Sequence, residues 1–312
     1  MLEQNVLIPF LKKFDAHPFL VKMDGKEYPI GDGEPSFTVV FHRPVPLGEL
    51  MRSTSLALGE AYMRGDLEVE GDLCEALDHF LGQMGKFSTD QKALKKLLFP
   101  SVSKKNQEKE VRSHYDIGND FYRLWLDGTM SYSCGYFLHE DDTLYQAQVN
   151  KVDYILKKLH LSQGMSLLDI GCGWGFLLIE AARKYGVRGT GITLSSEQES
   201  AFGERIRQEG LEDLLTVRRM DYRDLPSCQE KFDRVVSVGM VEHAGRGNYQ
   251  EFMDCVSSAL NPGGVFLLHF ISALKEHPGD AWIKKYIFPG GVVPSLREII
   301  SCCAEDDFHV LD

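Results

Sequence analysis

The sequence predicts an α/β protein, with a parallel sheet covered by helices on both faces and a smaller α+β domain ahead of it. Three observations carry this expectation. From about Gln163 onward, short apolar runs alternate with helical stretches, the βαβ pattern of a sheet buried on both sides. The first of those runs leads into "LDIGCGWG" at 168–175, where glycines turn a strand into a helix. Residues 1 to about 85 instead mix short strands and helices, and the composition shifts after them.

In chain order, "PFLVKMDGKEYPIGDG" has the look of a hairpin around Asp24-Gly25, and "SFTVVFH" reads as a strand. Asp72 stands where it caps a helix over "LCEALDHFLGQ". From Lys86 to Arg112, eight basic residues face three acidic ones, and Pro100 and "SVSKKNQ" suggest a linker. That stretch reads either as a solvated connection or as a basic amphipathic segment, "DQKALKKLLF", resting on anionic lipid headgroups. The expected organisation is therefore a lipid-associated domain at 1–85, a basic linker at 86–108 and a catalytic domain at 109–312.

Within the last part, "SLLDI", "VRGTGIT", "LTVRRM", "FDRVVSVG" and "GGVFLLHFI" are expected strands. "WGFLLIEAARKY", "SSEQESAFGERIRQEG" and "NYQEFMDCVSSAL" are the helices between and beside them.

Bulk properties exclude several classes. A chain of 312 residues has room for two modest domains, and 26% charged with 43% hydrophobic residues is ordinary globular composition. Net charge −12 argues against nucleic acid as the main partner. No apolar run approaches the ~20 residues of a membrane-spanning helix. Glu3 near the start, with no small-residue cleavage site after it, reads as a cytoplasmic protein. The seven cysteines form no C-x-x-C pair and the ten histidines no H-x-x-x-H pair, so reduced thiols and no metal site are expected.

The Gly-rich loop narrows the cofactor. A dinucleotide fingerprint needs glycine at its sixth position, where Phe176 stands, and an acid about 20 residues on. The second strand ends "GITLS" without one. Asp169 lies two residues before Gly171, and Asp221 follows "LTVRRM", the placement seen in S-adenosylmethionine (SAM)-binding methyltransferases.

Beyond that loop the chain resembles the cyclopropane-fatty-acyl-phospholipid synthase family. The blocks that carry the resemblance are "HYDIGNDFYRLWLD", "MSYSCGYF", "LDIGCGWG", "GITLSSEQ", "DYRDL", "FDRVVSVGMVEHAGRGNY", "FLLHFI" and "WIKKYIFPGG". "GEAYMRGDLEVEGDL" resembles the N-terminal domain of the phospholipid-acting members. The resemblance implies a class I SAM-dependent methyltransferase (Rossmann-like) fold. It also implies methylene transfer from SAM to a cis double bond of an unsaturated phospholipid acyl chain, through a carbocation deprotonated by bound bicarbonate. An alkene needs no activation by a side chain, and a strong nucleophile nearby would trap the cation; a weak base suffices.

The residues matching the family's bicarbonate site are Cys134, Glu242, His269 and, through its backbone, Ile271. Cys134 is expected to be a wall of that site and not a nucleophile, since its motif holds no neighbouring base. Glu242 beside an anion is expected to accept the bicarbonate hydroxyl proton or to be protonated itself. The matching SAM contacts are Tyr132, Ser133, Gly171, Gly173, Thr193, Leu194, Gln198, Asp221, Tyr222 and Arg223. Cys172 is taken as packing, and His114, Tyr115 and Asp116 as lid or substrate-channel residues.

Two positions depart from the family. Phe270 stands for a smaller polar residue in "HFIS", and Val241 for a phenylalanine in "MVEHAG", which removes one aromatic face from a site that handles a cation. The chain also stops at "DDFHVLD", at the start of a sixth strand, where the family continues with helices over the acyl channel and a tyrosine on bicarbonate; a truncated C-terminal part is expected. The implied setting is cytoplasmic, peripheral to the inner face of a membrane, with a homodimer left open. Two other functions remain: a related lipid C-methyltransferase giving a branched or methylene product, and a SAM- and lipid-binding protein without turnover.

Overall fold

The computed structural model describes residues 4–83, 118–277 and 279–312. The described residues fall into two compact units, 4–83 with 279–287, and 118–277 with 288–312. The basic linker, and with it His114, Tyr115 and Asp116, lies outside the described residues.

The first unit holds helices α1 (Gln4–Leu11), α2 (Leu47–Arg52), α3 (Thr54–Met63) and α4 (Leu73–Leu81). Its strands are β1 (Phe19–Met23), β2 (Lys26–Ile30), β3 (Thr38–Phe41) and β4 (Leu67–Glu70), in the order β2-β1-β3-β4. The expected hairpin is β1–β2, turned by Asp24 and Gly25 at φ 51° and 70°, the paired positive values of a type I′ turn. Pro29, which cannot donate to a ladder, sits on the edge strand β2. Alternation along β1 sends Phe19, Val21 and Met23 into a core with Phe14 and Phe37. Asp72 Oδ1 caps α4 by accepting from the backbone N–H of Cys74 at 2.7 Å and Glu75 at 3.3 Å. A helix at Ala281–Tyr286 packs on α3, its Trp282 ring so close to Gly59 that a Cβ there would come within 2.5 Å.

The second unit opens with α5 (Asn119–Arg123) and α6 (Leu144–Lys158), the latter started by a Thr143/Gln146 capping box. Strands β5 (Ser166–Ile170), β6 (Arg188–Thr193), β7 (Leu215–Arg219), β8 (Phe232–Val238) and β9 (Leu260–His269) follow. Helices α7 (Phe176–Tyr185), α8 (Ser196–Gln208), α9 (Tyr249–Ala259) and α10 (Leu296–Glu305) accompany them. All neighbouring strands are parallel, in the order β7-β6-β5-β8-β9. Successive residues of β5 serve opposite faces: Leu167 packs with α6, α7 and α8, while Leu168 and Ile170 pack with α9.

That strand order has its topological switch between β5 and β8, and ligands bind such sheets at the carboxyl ends of the strands there. Of the expected strands in this sheet, β9 is the one whose start moves furthest, the others keeping their ends to within one residue. It begins earlier, because Leu260 pairs with Phe232 ahead of a register shift, and it stops at His269. No described helix is long and apolar enough to cross a membrane.

Candidate active site

A cavity opens at the switch point, and all ten residues expected to contact the cofactor line it. They arrive from five places: the 129–133 loop, the Gly-rich loop after β5, the end of β6, the first turn of α8, which carries Gln198, and the turn after β7.

The Gly-rich loop requires left-handed backbone. Gly173 has φ 54°, and a Cβ built on it meets no protein atom within 4 Å, so a side chain there would enter open space. Gly175, at φ 81°, starts α7, and a Cβ would strike the Phe202 ring at 2.0 Å. Cys172, between Gly171 and Gly173, is buried, packs against Gly191, and burial pushes its thiol well up, which fits packing and not chemistry. Asp169 ends the apolar run at 3% exposure, and burial pushes its carboxyl up to about 7.

At the end of β6, Thr193 Oγ1 donates to Gln198 Oε1 at 2.7 Å, which fixes the face that Leu194 shares. After β7, Asp221 is held by Arg223 through two bonds, from Nε at 2.8 Å and from a terminal nitrogen at 2.6 Å. Arg223 is therefore a partner of Asp221. Between them the buried Tyr222 hydroxyl finds no hydrogen-bond partner among the described residues, and burial pushes its ionisation up.

The four residues expected around an anion gather at the end of β9, beside the cavity and not in its lining. His269 Nε2 lies 3.6 Å from Cys134 Sγ. Glu242 Oε1 accepts from the Ile271 N–H at 2.8 Å, so this amide points at Glu242. Glu242 Oε2 and His269 Nδ1 are buried and have no partner among the described residues. Burial raises the Glu242 carboxyl above its usual range; burial, and then the Lys151 charge, lowers His269 and favours its neutral ring.

The structure adds to the reading of Cys134, whose own motif holds no base. Cys134 does have a base beside it, contributed by a strand 135 residues away. The pair still lacks the third group that orients a base toward a nucleophile, because Nδ1 of His269 is unpartnered. Cys134 and Ile271 are also exposed.

Sequence reasoning missed three positioning residues. Lys151, 6% exposed, donates from Nζ to Ser133 Oγ at 2.7 Å and to Gln148 Oε1. Gln148 Nε2 donates to the Ser133 carbonyl at 2.8 Å. Arg205 reaches from α8 to the carbonyls of Thr129 and Trp174 at 3.3 and 3.1 Å. The signal for the first was present: Lys151 lies four residues after Ala147 and four before Ile155, on the apolar stripe of α6.

The two departures from the family pattern share one cluster: Val241 is fully buried in it and Phe270 packs against it. Aromatic rings continue outward from the cavity. Tyr132 meets Trp125 edge-on at 4.9 Å and stacks on Phe288 at 6.2 Å. Trp125 and its neighbour Leu124 are exposed, the latter at 81%.

The residues present fit a SAM-type cofactor, because Gly173 leaves cavity space a Cβ would fill and a buried carboxylate, Asp169, stands ready for a cationic ligand. The orphaned atoms of Glu242 and His269 likewise fit a small anion carrying both a donor and acceptors.

Comparison with known proteins agrees with this geometry. The family model described as mycolic acid cyclopropane synthetase matches residues 102–312, and a domain of unknown function matches 6–92. A probable fatty acid methyltransferase of Pseudomonas putida is 38% identical over 306 residues, 95% of this chain and 76% of that protein. The cyclopropane-fatty-acyl-phospholipid synthase of Escherichia coli K12 is 41% identical over 261 residues, 80% of this chain. The chain spans 65% of the length of that second relative. A crystal structure of the mycolic acid cyclopropane synthase CmaA1, complexed with SAH and CTAB, superposes with a TM-score of 0.61 at 36% identity, over 66% of this chain and 76% of that one.

Proposed function

The chain belongs to the mycolic acid cyclopropane synthetase family and has the class I SAM-dependent methyltransferase fold, and we propose that it converts a cis double bond of an unsaturated phospholipid acyl chain into a cyclopropane ring. The observation that carries this reading is the pairing of two features at the carboxyl ends of one sheet's strands. One is a cavity fitted to a cationic nucleotide-like ligand. The other, adjoining it, is a cluster with orphaned polar atoms and no oriented nucleophile.

SAM would be held by the Gly171–Gly173 loop, Gln198 and the Asp221 turn, and supplies an electrophilic methyl group when bound. Bicarbonate would be held by His269 and Glu242 and supplies a weak base of the strength that a carbocation's methyl proton needs. The protein's own part is placement and exclusion of stronger nucleophiles. Gln148 and Lys151 hold Ser133, which keeps Tyr132 and Cys134 on either side of it in place. Glu242, with one oxygen pinned by Ile271, presents the other as an acceptor when ionised. His269, neutral and paired to Cys134, keeps the thiol engaged and away from the cation. Leu124, Trp125 and Tyr132 line an apolar approach suited to a lipid chain. The setting is the cytoplasmic surface of a membrane, which the chain meets peripherally through the basic segment.

The name of the Pseudomonas relative favours one second reading, C-methylation to a branched or methylene product, since the same cation partitions between outcomes. Incubating the chain with methyl-labelled SAM and vesicles of unsaturated phospholipid tests both. Cyclopropane ring protons in the product lipid support the first; label in a methyl or methylene group without ring protons replaces it with the second.

A further inference from the structure

We propose that Lys151 is the fixed positive charge of the anion site beside the cofactor cavity, and that it sets this site's affinity for a small carboxylate-type oxyanion, bicarbonate. The assignment rests on the bicarbonate reading above and adds a residue to it. Lys151 is 6% exposed and lines the cavity, yet no described carboxylate forms an ion pair with it. The acid that acts on it from a distance, Asp127, has both oxygens engaged by Thr129. An ammonium has three donors, and two are spent on neutral oxygens, Ser133 Oγ and Gln148 Oε1. Neutral partners satisfy hydrogen bonds but leave the buried charge uncompensated, an arrangement that proteins otherwise avoid.

Position selects the kind of ligand. Lys151 is anchored to Ser133, the next residue is Cys134, and Cys134 touches His269. After burial, the Lys151 charge is the next cause that lowers His269. Glu242 Oε2 and His269 Nδ1 remain open for a ligand's donor and acceptor. A cationic or neutral occupant would leave the ammonium unbalanced; a monovalent oxyanion balances it and uses the orphaned atoms. The same charge chemistry is available from the carboxylate of a bound cofactor's amino-acid part, so the test has to separate the two sources.

Two affinities are measured on wild type, Lys151→Met and Lys151→Arg, each as the full chain. The first is for ¹³C-bicarbonate, by NMR line broadening with the protein saturated with S-adenosylhomocysteine. The second is for S-adenosylhomocysteine alone, by calorimetry. The expected result is bicarbonate binding weakened by about tenfold or more in Lys151→Met, largely kept in Lys151→Arg, with S-adenosylhomocysteine affinity within about threefold throughout. Unchanged bicarbonate affinity in Lys151→Met overturns the proposal. So does a selective loss of S-adenosylhomocysteine, which gives the charge to the cofactor's carboxylate. So does equal loss of both ligands in Met and Arg variants alike, which marks a loop-holding role. If wild type itself binds no bicarbonate, the underlying anion reading fails, and the proposal with it.

Discussion

Replacing Asp169 by asparagine should change the stability of the chain in a pH-dependent way whose size the structure sets. The side chain is 3% exposed at the end of β5, and burial pushes its carboxyl from an ordinary 3.8 up to about 7. Between those two values the folded chain holds a proton that the unfolded chain has released, so folding stability falls as pH rises through this window. Above pH 7 the full difference, ~3 pK units, amounts to ~4 kcal/mol of lost stability. Asp169→Asn keeps the shape and removes the ionisation. Whatever the amide's own hydrogen bonds contribute is the same at every pH, and every other titrating group is common to both proteins. The stability of the variant relative to wild type should therefore increase by ~2–3 kcal/mol between pH 5 and pH 8. Urea denaturation of both proteins at the two pH values measures it. Binding gives a second readout: a positively charged ligand favours the ionised carboxylate, so affinity for SAM should fall by up to about tenfold per unit below pH 7 in wild type and less in Asp169→Asn. A variant-to-wild-type difference that stays constant from pH 5 to pH 8 would refute the account of Asp169 as a buried, uncompensated carboxyl.

Three further outcomes are expected. Gly173→Val should abolish S-adenosylhomocysteine binding in calorimetry, because its side chain enters the cavity from a backbone at φ 54°; unchanged affinity would reject the cavity as the cofactor site. In a turnover assay Cys134→Ser should keep most activity while Glu242→Ala and His269→Ala lose tenfold or more, the effect of leaving a buried polar partner unpaired at ~1–3 kcal/mol; equal loss in Cys134→Ser with cofactor binding intact would give the thiol a direct chemical role. Changing Lys92, Lys95, Lys96, Lys104 and Lys105 to Gln should weaken co-sedimentation with anionic vesicles at low salt, by up to ~1 kcal/mol per charge near the surface, and equal binding would leave a solvated linker.

What the sequence made legible was local. The Gly-rich loop, the strand ends and the Asp72 cap depend on neighbours within a few residues, and ten expected cofactor contacts meet in one cavity because each lies at or just after a strand end, or on the short loop entering it. What stayed hidden was pairing across the chain. The Cys134–His269 contact joins a loop to the end of β9, and no periodicity in either segment announces the other. The early start of β9 depends on a register shift against β8, a property of the pair and not of either strand. Lys151 is an intermediate case: its place on the apolar stripe of α6 was readable, but the partners that make it consequential, Ser133 and the site beyond, were not.

The cavity holds two buried charges of opposite sign, and they do not cancel each other. Asp169 and Lys151 both line it, yet they form no ion pair, and burial shifts each toward its neutral form, the first up to about 7 and the second down to about 8. The shift of Lys151 from 10.5 corresponds to ~3 kcal/mol, present below pH 8 and relieved as pH rises toward the unfolded value, the opposite direction to Asp169. Near neutral pH the ligand-free chain therefore bears both penalties. A fold selected for stability alone would place apolar residues at both positions, as it does at their neighbours Leu168 and Val152. Fixed charges kept apart in a low-dielectric cavity are instead suited to receive charge from outside, a cation at Asp169 and an anion at Lys151, without rearranging as they do so. That requirement is met by a sulfonium cofactor together with a small oxyanion, and it is not met by either ligand class in isolation unless one molecule carries both charges, which is why separate affinities for the two, measured on the same variants, decide the matter.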